Sequence, residues 1–515
     1  MTGGLRVVTA LADRLRAQGD SRVELRETHM SWVLLTPDRA YKLKKPVRFG
    51  FLDLREPDAR RRACEEEVRV NQALAAGVVL GVRPVVRDGD GAALGDGGEP
   101  VDWVVEMRRF DEDRTMAALV RRHSLRREDV AVAARRIAAF HATAAPARPD
   151  GWAAAVARTW NANLGELESD AGRKVGPARI AAARRFIAAF ANRRGADLDR
   201  RARQGSVVDG HGDLRAEHVL LEGGAVTIVD RLEFDADLRR VDVADDLAFL
   251  VMDLHALGAG WAADELVDAY REAGGDPGDA GLIAAFAAYR AQVRAKVGLL
   301  RADQLPAPQC EQARASALEL MTLAERFAWR ARGTLVLVVA GPPASGKSTV
   351  AAELAEAGDL PVLSSDLVRR ELLGLAPGER APQSAYAPTE RRRIYAALGE
   401  RAAGALRFGS VVVDATFGEP ELRDAFLQGL QGGTRQQLRV IVCDAPLQVR
   451  VERARRRAAA GGAASDAGPD VVRAVGDDIA ELPVAPEHRV VVPTTGPPGD
   501  AARRVAAWLD DDGVR

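Results

Sequence analysis

Residues 336–350, VLVVAGPPASGKSTV, constrain this chain more than any other stretch. An aliphatic run enters Gly341, Pro342, Pro343, Ala344, Ser345, Gly346, Lys347 and Ser348, the G-x-x-x-x-G-K-S pattern, and Thr349 leads into an alanine- and glutamate-rich helical stretch. The glycines allow the loop to fold back so that successive backbone N–H groups point inward at an anion. The following helix adds its positive N-terminal end. Lys347 is placed to reach β and γ phosphates, and the Ser348 hydroxyl suits Mg²⁺. Strand, phosphate loop and helix in this order predict an α/β fold with a parallel sheet and an ATP site.

A length of 515 residues exceeds what one hydrophobic core sustains, so two or three domains are expected. The 73 Lys+Arg nearly balance 74 Asp+Glu, which excludes a global basic field for nucleic acid but leaves local basic patches open. Three widely spaced cysteines, Cys64, Cys310 and Cys443, fit a reducing compartment and no disulfide framework. The N-terminal residues lack a signal-peptide pattern, and no apolar run approaches the ~18 residues of a membrane span. A cytoplasmic protein with no membrane partner is expected, and nothing in the sequence speaks to oligomeric state.

Downstream of the phosphate loop, LPVLSSDLVRREL (360–372) reads as a strand ending at Ser364-Ser365-Asp366, followed by a helix start. Asp366 suits acceptance of a hydroxyl proton, the reading favoured here over a simple helix N-cap, which its position also suits. Arg369, three residues on, suits an anionic part of a substrate. Arg391 to Arg393 lie on a helix in 386–409 and read as a solvated face. GSVVVDATF (409–417) is a buried strand whose terminal Asp414 suits water-mediated Mg²⁺ binding. LQVRVERARRR (447–457) sets Arg450, Arg453 and Arg457 on one helix face, either solvated or poised to neutralise a transferring phosphate. The Ala/Gly-rich stretch 458–470 then suggests a moving lid. Residues 334–510 thus resemble the small phosphate-loop kinases grouped with phage polynucleotide kinase, zeta toxin and gluconate kinase. That resemblance implies Asp366 as base, Arg369 on a substrate phosphate, and Arg453 with Arg457 as a lid pair.

Earlier in the chain, SWVLLTPDRAYKLKKPV (31–47) reads as two strands joined by a Pro-Asp turn, with Lys42 and Lys44 on one face. RRRACEEEVRVNQAL (60–74) reads as a helix that turns Cys64, Val68 and Leu74 inward and lets Glu67 pair with a strand lysine. VVDGHGDLRAEHVLLEGGAVTIVDRLEFD (207–235) places His211, Asp213 and Asp230 around two short strands. Two carboxylates so placed suit phosphoryl transfer, one orienting a hydroxyl and one holding Mg²⁺. HGDLRAEHVLL, IVDRLEF and YKLKKP resemble the aminoglycoside phosphotransferase-like kinases, a branch of the protein-kinase-like α+β fold, over roughly residues 20–300. The resemblance implies Asp213 as catalytic base and Asp230 as metal ligand. Lys42, or Lys44 in the alternative register, would hold the α/β phosphates with Glu67 as ion-pair partner. Val104–Arg108 would be the hinge beside adenine, and Asp245 would brace the catalytic loop. His218 departs from the pattern, standing where the family carries a metal-binding asparagine.

The whole chain resembles the bacterial bifunctional aminoglycoside phosphotransferase/ATP-binding proteins, with a kinase-like domain at 1–332 and a phosphate-loop kinase domain at 333–515. An ATP- and Mg²⁺-dependent phosphotransferase with two nucleotide sites is implied. Its acceptors would be a small molecule or the hydroxyl end of a nucleic acid. A pseudokinase first half that regulates the second is the alternative.

Overall fold

A computed structural model describes residues 3–18, 22–28, 30–49, 52–89, 91–95, 97–170, 175–376, 379, 381–460, 468–475, 482–497 and 499–511. It contains two compact units, Met1–Trp152 with Asp197–Gly278, and Ala153–Ala196 with Asp279–Arg515. These limits differ from a single cut at 332/333.

In the first unit, β1 (Glu24–Glu27), β2 (Ser31–Leu35) and β3 (Arg39–Lys44) form an antiparallel meander, and the expected Pro37-Asp38 turn joins the last two. β4 (Arg48–Phe49) and β5 (Leu52–Asp53) make a small separate ladder. β6 (Val79–Asp88), β7 (Gly91–Leu94) and β8 (Pro100–Arg108) complete a six-stranded sheet of order β1-β2-β3-β8-β6-β7. Alternation along β2 and β3 turns Trp32, Leu34, Tyr41 and Leu43 into a core closed by the helix Gly3–Ala17. The helix Pro57–Ala75 packs on the sheet and buries Cys64, Glu67 and Leu74 together. Val104–Arg108, expected as a hinge, instead lies within β8, paired on both sides by β3 and β6. The hydrogen-bonding needs of a central strand hold that backbone extended.

β9 (Val207–Asp209) pairs with β12 (Arg240–Asp242), while β10 (Val219–Glu222) and β11 (Ala225–Ile228) form a hairpin closed by Gly223 and Gly224. Two helices follow the sheet, Met116–Arg121 and Arg127–Thr143. The helix Val243–Ala256 is buried along most of its length and sits under the loop that follows β9.

In the second unit, β13 (Val336–Ala340), β14 (Val362–Ser364), β15 (Val411–Asp414), β16 (Leu438–Asp444) and β17 (Arg489–Pro493) form an all-parallel sheet of order β14-β15-β13-β16-β17. Every residue of β13 is buried, as a central parallel strand covered on both faces requires. The helix Gln309–Ala331 belongs to this unit because Trp329 enters the core formed by Leu337, Val339, Val350 and Leu509. Arg332 seals the junction. It makes a bidentate pair with buried Asp510, at 2.9 and 2.7 Å, and its guanidinium lies over Phe186 and Trp329. An arginine fork against a carboxylate in this geometry is a strong, directional contact.

Removing one partner of such a buried pair strands a charge. Asp510→Ala should therefore destabilise the second unit by about 3–5 kcal/mol, read as a lowered thermal midpoint by circular dichroism. An unchanged midpoint would show that the pair contributes nothing.

Candidate functional sites

The first site gathers on the inner face of β3. Lys42 Nζ lies 2.8 Å from Glu67 Oε1 and 3.2 Å from Asp230 Oδ1. Lys44 Nζ lies 2.5 Å from Glu67 Oε2 and also pairs with Glu233. The two lysines of the alternative registers are placed differently. Lys42 faces Asp230 with its side chain 17% exposed, whereas Lys44 at 2% is sealed between two glutamates. Burial opposes both ammonium charges, yet the surrounding carboxylates hold both lysines above their ordinary range. Lys42 in turn keeps the Asp230 carboxyl well below the usual carboxylate range. Asp230 adopts φ 60°, a left-handed conformation that non-glycine residues rarely hold outside functional sites.

The Asp213 loop is held from below. The carboxylate of Asp246 accepts the His211 N–H at 2.6 Å and the Gly212 N–H at 2.9 Å. His141 Nε2 donates to the same carboxylate at 3.1 Å, and the Tyr270 hydroxyl donates to His141 Nδ1 at 2.8 Å. The brace expected from Asp245 therefore comes from its neighbour. One step along a helix rotates a side chain by about 100°, and Asp246 is the residue whose carboxylate takes the loop's two N–H groups. Gly210 is required beside it, because a Cβ there would stand 2.7 Å from Asp246 Oδ2 and 2.6 Å from Val241 Cγ2.

Asp213 itself takes the Nε of Arg215 on both oxygens, at 3.0 and 3.1 Å. Burial raises its pKa, but Arg215 and the nearby histidines leave it below the ordinary value. Arg215 also reaches Glu217 and, through Nη2, His218 Nε2 at 3.0 Å. Sequence reasoning missed Arg215, although it stands two residues after the aspartate in HGDLR. His218 Nδ1 meets the Asp213 carbonyl at 2.8 Å, and its Nε2 lies 3.9 Å from Asp230 Oδ2.

The second site lies at the carboxyl ends of β13, β14 and β15, where an open parallel sheet presents ligands. Gly341 and Gly346 adopt φ 150° and 99°, and a Cβ on Gly346 would press on Thr494 and Arg453. The helix Lys347–Gly358 starts here, so the N–H groups of its first turn have no carbonyl behind them within the helix. Lys347 Nζ donates to the Pro342 carbonyl at 3.0 Å, and burial lowers its pKa. The Ser348 hydroxyl donates to Asp414 Oδ2 at 2.7 Å. Burial raises the Asp414 pKa. A hydroxyl beside a carboxylate is a hard oxygen donor set that fits Mg²⁺.

A cavity of about 990 Å³ extends from Pro343, Ala344 and Lys347–Thr349 to Asp366, Arg369 and Arg457. Ser364, not Asp366, caps the helix Ser365–Leu372, its hydroxyl accepting the Leu367 N–H at 3.0 Å. The Asp366 carboxylate is thereby released from capping and pairs with Arg369 at 2.5 Å. Arg369 lies over the Tyr386 ring at 4.8 Å. Arg391 leaves the solvated face expected for it, lines the cavity and pairs with Glu419.

The three arginines after β16 separate. Arg453 binds the Thr494 carbonyl at 2.7 Å and hydroxyl at 3.1 Å, beside the phosphate loop. Arg457 lines the cavity with Nη2 buried. Arg450 is fully buried and bonds the Ala445 carbonyl, so it takes no part in a lid face. A helix turns by about 100° per residue, so spacing of three then four leaves room for one arginine to enter the core. Residues 461–467 of the expected lid lie outside the described residues.

An AAA domain family model matches residues 336–482. The first unit is kinase-like α+β and the second is a phosphate-loop α/β domain, and together they define a nucleotide-dependent phosphotransferase, an enzyme of the kinase class. Over 461 residues the chain is 34% identical to Uncharacterized protein Rv2004c of Mycobacterium tuberculosis, covering 88% of this chain and 89% of the relative. Uncharacterized protein Mb2027c of Mycobacterium bovis matches equally, at 34% over 88% and 89%. The chain belongs to the family of these mycobacterial proteins. Among solved structures, a choline/ethanolamine kinase family protein of Mesorhizobium loti is 16% identical, with a TM-score of 0.36 over 61% of this chain and 94% of that one. A gluconokinase of Sinorhizobium meliloti is 21% identical, with a TM-score of 0.26 over 34% and 91%. Among the described residues, no helix is long and apolar enough to cross a membrane.

Burial lowers the His211 pKa from 6.5 to about 4, so this ring folds neutral. The unfolded chain binds the extra proton between those values. Its contribution is complete above about pH 6.5 and is lost as pH falls toward 4, with a slope of at most about 1.4 kcal/mol per pH unit. Thermal unfolding measured from pH 7 to 4 should show this decline, and His211→Gln should flatten it. An equal decline in the variant would mean that other groups account for the slope.

Proposed function

We propose that the chain is an ATP- and Mg²⁺-dependent phosphotransferase with two separate nucleotide sites, one in each of the sequence modules 1–332 and 333–515. The observation that carries this reading is duplication of the same chemistry. Each site pairs a lysine for phosphate with one carboxylate for a metal and another for a hydroxyl proton.

In the first site Lys42, held by Glu67, would contact the nucleotide phosphates, and Asp230 would ligate the metal. The acceptor oxygen attacks the γ-phosphorus while its proton passes to Asp213. The bond from that phosphorus to the β-γ bridging oxygen breaks, and ADP leaves. Arg215, already at Asp213, is placed to neutralise charge on the transferring group. In the second site the phosphate loop, residues 341–349, would cradle the phosphates. Ser348 and Asp414 would hold Mg²⁺ and Asp366 would take the acceptor proton. Arg369 would bind an anionic part of the acceptor, and Arg453 and Arg457 would face the transferred group. Bound Mg²⁺ would neutralise phosphate charge in each site.

Acceptor identity follows from pocket contacts, not from fold. The cavity with Asp366, Arg369 and Arg391 favours a hydroxylated anion. A polynucleotide 5′-hydroxyl end is one such acceptor, and labelled RNA and DNA ends with ATP would test it.

The deciding experiment measures ATP turnover, in metabolite extract, by the full chain and by Asp213→Ala and Lys347→Ala variants. Loss of a general base costs typically 10²–10⁴-fold. Each substitution should remove a separate set of phosphorylated products by at least about 10²-fold. Should Asp213→Ala leave all products intact while Lys347→Ala abolishes them, the first unit is regulatory and the two-kinase reading falls.

A further inference from the structure

The first site departs from an all-oxygen donor set at one position, His218, and the hydrogen bonds around it fix what that imidazole can do. Arginine N–H groups only donate, so the 3.0 Å contact from Arg215 Nη2 makes His218 Nε2 an acceptor carrying a lone pair. The proton therefore sits on Nδ1, which donates to the Asp213 carbonyl at 2.8 Å. An imidazole that gives one N–H to a backbone carbonyl and keeps the other nitrogen unprotonated has the tautomer and anchoring of a metal-ligating histidine.

Asp230 is arranged to match. Lys42 takes Oδ1 at 3.2 Å, and the other oxygen, Oδ2, lies 3.9 Å from His218 Nε2. That separation is less than twice a typical bond of about 2.0–2.2 Å from a first-row ion to nitrogen or oxygen. The cation now at Nε2 is the Arg215 guanidinium, whose side chain also spans the Asp213 carboxylate. A positive charge is thus already accommodated in this corner.

Resting on the kinase reading of this site, we infer that His218 Nε2 and Asp230 Oδ2 together ligate the nucleotide's divalent ion, and that the first site prefers first-row transition ions to Mg²⁺. Mg²⁺ is a hard ion that seeks oxygen, whereas imidazole suits borderline ions. The second site, with Ser348 and Asp414 as oxygen donors, keeps the Mg²⁺ preference. One chain would then run its two reactions on different metals, with phosphate oxygens and water completing the first-site shell.

The test uses Mn²⁺ and a non-hydrolysable ATP analogue with the full-length chain. Pulsed electron paramagnetic resonance should detect a nitrogen coupled to Mn²⁺. Growing the protein with ¹⁵N-histidine should convert that coupling from ¹⁴N to ¹⁵N, which separates histidine from adenine nitrogen without any substitution. Among the described residues no histidine lines the second-site cavity, so the signal reports the first site. In a Lys347→Ala background, calorimetric titration should show the analogue binding at least about tenfold tighter with Mn²⁺ than with Mg²⁺, and His218→Asn should abolish that preference. Analogue binding with no histidine coupling would overturn this inference while leaving the kinase reading intact. Absence of any binding that depends on Asp230, judged by Asp230→Ala, would overturn both.

Discussion

Glu67 carries two lysines on one buried carboxylate, and the first site depends on that arrangement. A lone ammonium in such a position would shed its proton, because desolvation penalises the charged form. With Glu67 between them and Glu233 and Asp230 beyond, both lysines keep their charge, and Lys42 is aimed at Asp230. The same carboxylate ties the helix Pro57–Ala75 to β3, so a movement of that helix would change where Lys42 points. Packing and charge placement are one constraint here.

The second unit meets the same problem with backbone instead of side chains. Lys347 is buried and its charge is disfavoured, but the Pro342 carbonyl accepts a hydrogen bond from its ammonium and Asp414 lies nearby. Unpaired first-turn amides and glycine-dependent turns give this site a positive lining that does not depend on long side chains. Arg453, fixed to Thr494, and the burial of Arg450 anchor the arginine helix beside that lining, and Arg453 and Arg457 both line the cavity.

Much of both sites was legible in the sequence because the requirements are local. A phosphate loop needs its glycines, lysine and serine at fixed spacing, and HGD and VDR each fit within a few residues. Strand alternation was enough to place Lys42 and Lys44 on one face, and the acid-ended strand at Asp414 was read from its aliphatic run. Choosing between neighbours was not possible in this way. The placement of Lys42 against Lys44 and of Asp246 under the loop depends on what lies across the fold, whereas Ser364 rather than Asp366 caps its helix through a bond only three residues away.

The sequence alone therefore determined the two local motifs and the order of their parts, since those rest on backbone geometry and spacing within single strand–turn–helix segments. Only the tertiary structure decided which side chain of each adjacent pair faces the candidate site. It also released Asp366 from capping, sent Arg450 into the core, brought Arg391 to the cavity, and assigned the helices 153–196 and 279–332 to the second unit. The approach of Arg391 to Glu419 and the grouping of those helices depend on contacts far apart in the chain, whereas Asp366 and Arg450 meet partners three and five residues away, where burial and partner availability outweigh simple spacing.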